Sequence, residues 1–556
     1  MSIIDTMVIP PQFVGVSGLL APGAIHCSAG RLDMVSHHVS QARILENPEL
    51  PHCFSGFETL FGDYTFDSTK RKNDIKVLAV IDKYPMKIGY ISPGNNPLRT
   101  VIYRDLVTGE ISYFHIRRFS SYTNDFGYEN IIHTNITVGD VITPDVEIYS
   151  SKAKKGDIYC QGVNANVAYI STLETTEDCF AISESLATKL TSLSIETKTI
   201  NVNLKRFPLN LYGDEEVYKI FPDLGDVVRP DGVLASWRPV RKYSMISDLR
   251  VDKLRELNHI FDHKIYAQPG ATVIDIDVYM GARTELQTQI YEQVRLYHDT
   301  HLKYYQEIID IYQQCKHFPI SNKFNTLIAT AMSRLLAAKK NVPDLGRNPK
   351  IKLTDKFQPI GLRVDITLAR AINVNQGFKI TGREGAKGVV RILPDEDMPI
   401  DAQGFRADLC IDPVSVVKRT NIIQLYEQYL NRLLKLEALQ LDRWGDDESK
   451  FSRIIEVLSD IIPEYADEVN QTHPTAELRS AYVRECQQDT IYICIPPGYK
   501  RLNTELINKL QEKYQVPISP VEFNITKSDG TKERVKTKQP VLIGSKYIYL
   551  LSKYPK

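Results

Sequence analysis

Between residues 270 and 370 the spacing of apolar residues changes twice, and this limits the folds open to the chain. Val273, Asp275, Asp277 and Tyr279 alternate with Ile274, Ile276 and Val278, the two-residue period of a strand. From Glu285 to Cys315 the positions Leu286, Ile290, Val294, Tyr297, His301, Tyr304, Ile308, Ile311 and Cys315 instead recur every three or four residues, with no Gly or Pro. That is the seam of one long helix. Phe318, Pro319 and Ser321 mark a turn, and Phe324 to Lys340 carries Leu327, Ala331, Leu335 and Ala338 on one helical face. Alternation returns at Val364, Ile366 and Leu368, so a helical hairpin is inserted into a β domain. The fold class is therefore α+β.

Elsewhere, Phe54 to about Ile170 is a series of short β-branched and aromatic runs broken by turn dipeptides. Val167 to Ile170 reads as a strand leading through an acidic loop to Phe180, Ala181 and Ile182, and Ile195 to Val202 as another. After Pro413, helices are expected over about Asn421–Leu439 and Lys450–Ile461, then an α/β tail with a charged turn at Lys527–Lys538 and an apolar strand or helix at Pro540–Leu551. This divides the chain into 1–53, 54–162, 163–240, 241–345 with the hairpin, 346–440, and 441–556.

Lys plus Arg and Asp plus Glu both number 68, so any contact with a polyanion has to come from local clusters. The eight cysteines form no C-x-x-C pair, which argues against a zinc ribbon or a disulfide framework and for reduced thiols in the cytoplasm. No apolar run is long enough to span a membrane, and Met1–Pro11 lacks the features of a signal peptide.

The segment with the most chemistry is Lys379-Ile-Thr-Gly-Arg-Glu-Gly-Ala-Lys-Gly388, followed by Glu396-Asp-Met-Pro399. Glycines allow close approach of backbone to a phosphodiester, and Lys379, Arg383 and Lys387 offer neutralising charge. On composition alone a solvated charged turn is an equal reading. Taken alone, Arg31 reads as a surface or salt-bridge residue, Glu177-Asp178 as an acidic pair at a helix start, and His26, His37 and His38 as structural.

Taken together, five blocks resemble the β, or second-largest, subunit of multisubunit DNA-dependent RNA polymerases. Gly382–Gly388 with Glu396–Pro399 is similar to G-R-x-G-x-K-G followed by E-D-M-P. Ile411–Gln424 resembles N-P-x-x-x-x-S-R-M-N-I-G-Q, keeping Pro413, Arg419, Asn421, Ile422 and Gln424. Thr176–Glu184 resembles N-F-E-D-A-I-x-I-S-E, and His26–Ala42 resembles H-D-D-x-N-R-x-L-M-x-x-N-M-x-x-Q-A. Ser528–Gly530 and Pro540–Leu551 resemble D-G-x-T-G and P-V-x-V-G-x-x-Y-M-L. The departures include Glu384 for His, Lys418 for Ser, Gly30 for Asn, His37 for Asn, and Cys27-Ser28 for two Asp. This drift, and the absence of the family's N-terminal lobes, resemble the split β subunits of giant (phiKZ-type) bacteriophages.

The resemblance implies a double-psi β-barrel, with the hairpin at the position of the family's flap. It implies that Lys379 and Lys387 hold the RNA 3′ end or initiating nucleotide, and that Arg31 and Arg419 reach the incoming triphosphate. Asp178, with Glu177, stands near a nucleotide-borne Mg²⁺, and Arg383, Gln41 and Asn421 contact RNA or substrate. The family's D-F-D-G-D run is absent here, so the catalytic Mg²⁺ is expected mainly on a β′-like partner. Further implied partners are an N-terminal β polypeptide, a promoter-specificity subunit, DNA template, RNA transcript and nucleoside triphosphates. The competing expectations are an inactive β-like scaffold that binds nucleic acid, and a stand-alone phosphate-binding enzyme. The second lacks G-x-x-x-x-G-K-[ST] and G-x-G-x-x-G.

Overall fold

A computed structural model of the chain describes residues 11–66, 72–84, 96–123, 125–203, 206–214, 216–239, 262–280, 289–339, 361–527 and 529–553. Six strands close into a barrel: β1 (Val163–Tyr169), β2 (Cys179–Ser183), β3 (Lys379–Thr381), β4 (Lys387–Leu393), β5 (Leu409–Ile411) and β6 (Ile543–Leu550). Their order around the barrel is β1-β5-β2-β4-β3-β6, and β6 pairs back with β1. The β1/β5 and β2/β4 pairs are parallel and the others antiparallel. Alternate side chains fill one core, with Val163, Ala165, Val167, Phe180, Ile182, Ile380, Val390, Leu409, Ile548 and Leu550 all buried. The segment Pro540–Leu551 thus resolves as a strand, and it closes the barrel rather than joining a separate tail.

Beside the barrel lies a long sheet. Gly361–Ile372 pairs along its length with Ser192–Asn203 and on its other side with Thr272–Met280. The alternation expected at Thr272–Tyr279 is interrupted by a register shift between Val273 and Asp275, which sends Val273, Ile276 and Val278 into one core and Ile274 into another. The two strands that precede and follow the helical hairpin in sequence are direct neighbours in this sheet.

Helix α1 (Ala29–Gln41) lies near the barrel, and the hairpin comprises α2 (Glu292–Cys315) and α3 (Asn322–Lys339). Residues 285–288 and 340, which the sequence reading included, lie outside the described residues. The seam does more than join α2 to α3. Val294 and Tyr297 of α2 enter the core of the long sheet, while Tyr304, Ile308, Phe324, Leu327 and Ile328 pack with Ala79, Ile81, Ile102 and Ile111 of a second sheet. The hairpin turn is tied to that sheet by Ile111 N–H donating to Pro319 O (2.7 Å).

After the barrel's fifth strand come α4 (Pro413–Arg419) and α5 (Ile423–Gln440), then helices Asp447–Ile461, Pro463–Thr472, Ala476–Gln488 and Thr504–Tyr514. The helices at Pro463 and Ala476 were not expected. Pro463 occupies the first turn of its helix, where a missing N–H costs nothing, and Thr475 caps the next by accepting from Leu478 N. The charged turn at Lys527–Lys538 is the end of a strand hairpin, Glu522–Thr526 with Lys532–Lys536; Ser528 lies outside the described residues. Among the described residues no helix is long and apolar enough to cross a membrane.

Candidate functional site

Strand register gathers several of the blocks at one place on the barrel. In the β3/β4 pair Lys379 lies opposite Val389 and Thr381 opposite Lys387, and in the parallel β2/β4 pair Cys179 lies beside Val389. Val389 N–H also donates to the Asp178 carbonyl at 2.7 Å. Since Ile380, Gly388 and Val390 face inward, Lys379 and Lys387 share the outer face as a diagonal pair, within reach of long side chains. Lys387 is exposed and Lys379 half-buried.

Helix α1 crosses the β3–β4 turn and brings Arg31 to it. Gly385 has φ +77°, and a Cβ there would lie 2.4 Å from the Arg31 carbonyl oxygen, so the turn and α1 touch backbone to backbone. The Arg31 guanidinium is 3.4 Å from the Gly385 carbonyl oxygen. Further along α1, His38 is buried with Nδ1 3.0 Å from the Thr381 hydroxyl. Burial first, then electrostatic repulsion from Lys387, His37 and Arg31, pushes its imidazole down to about 4, so His38 is neutral at physiological pH.

Arg419 comes from α4, which starts with Asp412 capping Val414 N–H and ends with Thr420 in the left-handed region. Cations at a helix C-terminus face the negative end of its dipole. Arg419 Nη2 donates to Asp178 Oδ1 and lies 3.6 Å from Glu177 Oε1, while Lys418 Nζ is 3.0 Å from Glu177 Oε2. The four residues form a balanced surface cluster on the loop leading into β2. Sequence reasoning noted Lys418 only as a departure from the family's Ser; its place beside Arg419 in the same helical turn was the available signal.

The structure corrects the placement of Arg383 and Asn421. Arg383 is 1% exposed, with Nη2 2.7 Å from Glu427 Oε1 of α5, so its charge is spent inside the protein rather than presented to RNA. Asn421 is fully buried, drawn in as its N–H bonds back to Val416 O after the Thr420 reversal. Glu384, the departure from the family's His, is also turned inward, with Oε1 2.5 Å from Lys546 Nζ of β6. Gln41 sits at the far end of α1 from Arg31, ~15 Å along the axis at 1.5 Å per residue, and holds Ser552 N–H through its backbone carbonyl.

The glycines, read from sequence as room for a phosphate, are required by the protein's own packing. A Cβ on Gly382 would lie 2.2 Å from Glu384 Oε2, and one on Gly388 2.4 Å from the Phe180 ring. What the turn presents outward is its flanking lysines, with Arg31 beside it.

As a magnesium site this surface is incomplete. Glu177 and Asp178 are two adjacent carboxylates, each already facing a cation, and among the described residues no group of three or more His, Cys, Asp or Glu side chains is placed to hold a metal ion. They offer at most a carboxylate to an ion brought by something else.

Residues 141–478 match the family RNA polymerase Rpb2, domain 6. The chain is 24% identical over 434 residues to the DNA-directed RNA polymerase subunit beta of Streptococcus pneumoniae (strain ATCC 700669 / Spain 23F-1), covering 77% of this chain and 30% of that protein. It is 42% identical over 82 residues to the corresponding subunit of Treponema pallidum (strain Nichols), 15% of this chain and 7% of that one. The chain thus spans about 30% of the length of the first of these relatives. With the family match covering more than half of its residues, the chain belongs to the Rpb2, or β-subunit, family of RNA polymerases and corresponds to a C-terminal part of that subunit.

Proposed function

We infer that this chain is the C-terminal portion of β in a DNA-directed RNA polymerase and holds RNA and nucleotide during template-directed synthesis. The reading is carried by one observation: Arg31, Asp178, Lys379, Lys387 and Arg419, spread over nearly 400 residues of sequence, converge around the β2/β4/β3 face of one closed barrel. In this reading Lys379 and Lys387 bind the phosphates of the RNA 3′ end or initiating nucleotide, where two ammonium groups on a rigid strand pair act as fixed counter-charges. Arg31 and Arg419 bind the incoming triphosphate, for which the guanidinium fork suits phosphate oxygens. Arg419 is held ready by Asp178 and Glu177, and it exchanges a carboxylate for a phosphate when substrate arrives.

Catalytic Mg²⁺, which would stabilise the attacking and leaving oxygens, is assigned mainly to a β′-like partner bearing the Asp triad, with Asp178 at most lending a carboxylate to a nucleotide-borne ion. The barrel is read as the β member of a double-psi pair, and the α2–α3 hairpin as standing at the flap position and meeting a promoter-specificity subunit. We keep the division into 1–53, 54–162, 163–240, 241–345, 346–440 and 441–556, with the last strand assigned to the barrel. A separate N-terminal β polypeptide completes the subunit, as in the split enzymes of giant bacteriophages, and the complex works in the cytoplasm. The test is reconstitution: the chain alone makes no RNA, and joined with the β′-like chain and N-terminal β it extends an RNA primer on a DNA template. Template-dependent synthesis by the chain alone, or a complete complex that binds nucleic acid and never extends it, would overturn the reading.

A further inference from the structure

The β3–β4 turn is gripped from behind by two adjacent residues of opposite charge. Arg383 runs inward to Glu427 of α5 at 2.7 Å, with Glu58 at 4.0 Å. Glu384, the next residue, runs inward to Lys546 of β6 at 2.5 Å. Lys546 also donates to Gln424 Oε1 of α5 at 2.9 Å and lies 3.4 Å from the Tyr169 hydroxyl. All four charged residues are at most 4% exposed. Gly382 has no side chain where the Glu384 carboxylate folds over it, which ties the turn's shape to that inward rotamer. A pair so deep adds little net stability over apolar packing of the same shape, yet breaking one partner is costly. Its consequence is geometric: opposite charges pulling on consecutive residues fix the rotation of the turn about its own axis.

We propose that Lys546 and Glu427 are positioning residues, which act through Glu384 and Arg383 to set the turn so that Lys387 and the Arg31 contact at Gly385 face the substrate side. Both are buried, so neither is presented to substrate itself.

The proposal rests on the polymerase reading for its meaning, and the test separates the two. Lys546→Met leaves Glu384 buried without a counter-charge; when ionised it must leave its pocket and turn the loop, and when protonated it can stay. Hydrogen–deuterium exchange on the full chain, corrected for intrinsic rates, should show residues 382–387 opening about tenfold or more faster in Lys546→Met at about pH 8, a difference that shrinks toward about pH 6. Exchange in 292–339 should stay unchanged. In the assembled enzyme, formation of the first phosphodiester bond should fall about tenfold or more at the higher pH and recover on acidification, and Glu384→Gln added to Lys546→Met should restore it at both. A merely structural lysine would lower melting temperature and speed exchange throughout the barrel strands, with 382–387 no more affected than the rest. Unchanged exchange in 382–387, or a defect that Glu384→Gln does not relieve, would overturn the proposal. If exchange behaves as stated while the complete wild-type complex makes no RNA, the positioning role stands and the polymerase reading falls.

Discussion

Arg419→Ala separates a surface ion pair from a substrate contact by size. In the resting protein Arg419 is paired with Asp178, whose side chain is 67% exposed, against 13% for the arginine. An ion pair open to water on its acidic side contributes roughly 0–1 kcal/mol to stability. Its loss should therefore lower the melting temperature by no more than a few degrees. A charge-assisted bond to a triphosphate oxygen is worth about 1.5–3 kcal/mol, which is roughly tenfold to a hundredfold in the step that uses it. The assay is single-nucleotide addition by the assembled enzyme on a preformed RNA–DNA scaffold. Arg419→Ala and Arg31→Ala should raise the apparent KM for nucleotide, or lower the addition rate if the contact tightens only in the transition state. Lys379→Ala and Lys387→Ala should chiefly impair the first bond and the retention of short transcripts. Four indistinguishable profiles, four near-wild-type enzymes, or an Arg419→Ala protein that melts far below wild type would refute the assignment.

Arg383→Ala should behave as a stability variant, because it strands Glu427 in the interior at a cost of about 3–5 kcal/mol; chemical denaturation of the chain checks this, and unchanged stability with weakened RNA binding would return Arg383 to the surface. His38 is held below its unfolded value, so the unfolded state binds more protons between pH 6.5 and about 4. Stability should fall as pH drops through that window, by up to about 3 kcal/mol, and His38→Gln should flatten the curve in urea titrations. Phe324, fully buried where the hairpin meets the second sheet, should cost about 3–5 kcal/mol when cut to Ala, so wholesale removal of the hairpin would unfold its surroundings. The flap position is better tested with Met332→Glu and Leu336→Glu on the exposed side of α3, which should impair promoter-dependent initiation and spare elongation from a scaffold; equal loss in both assays would point to misfolding.

Much of the architecture was legible because it is local. The change of apolar period at Glu285 announces the hairpin, the alternation around Val273 and Val364 announces the strands that flank it, and the runs at Val167 and Phe180 announce two strands of the barrel. What could not be read was which cation of Lys379–Lys387 turns inward. That choice depends on partners far along the chain: Glu427 lies 44 residues from Arg383 and Lys546 lies 162 from Glu384. A hint existed in the strand Ile543–Leu550, where Lys546 is the one charged residue in a run otherwise fit for a core and so needs a buried counter-charge. For Asn421 there was none, because its burial follows from the left-handed turn at Thr420, a conformation its threonine does not advertise.

Closure of the barrel by its last strand sets a timetable for synthesis on the ribosome. Residues 163–168 find their β6 partners only when 543–548 have emerged, as in the Val167–Gly544 pairing. At roughly 5–20 residues per second, that edge waits on the order of 20–75 s with its N–H and C=O groups unpaired and available to other chains. Nascent protein should thus be most prone to sticking during that interval, and a chaperone or a waiting partner polypeptide that covers the β1 edge would raise the yield of folded chain more than one that acts after release.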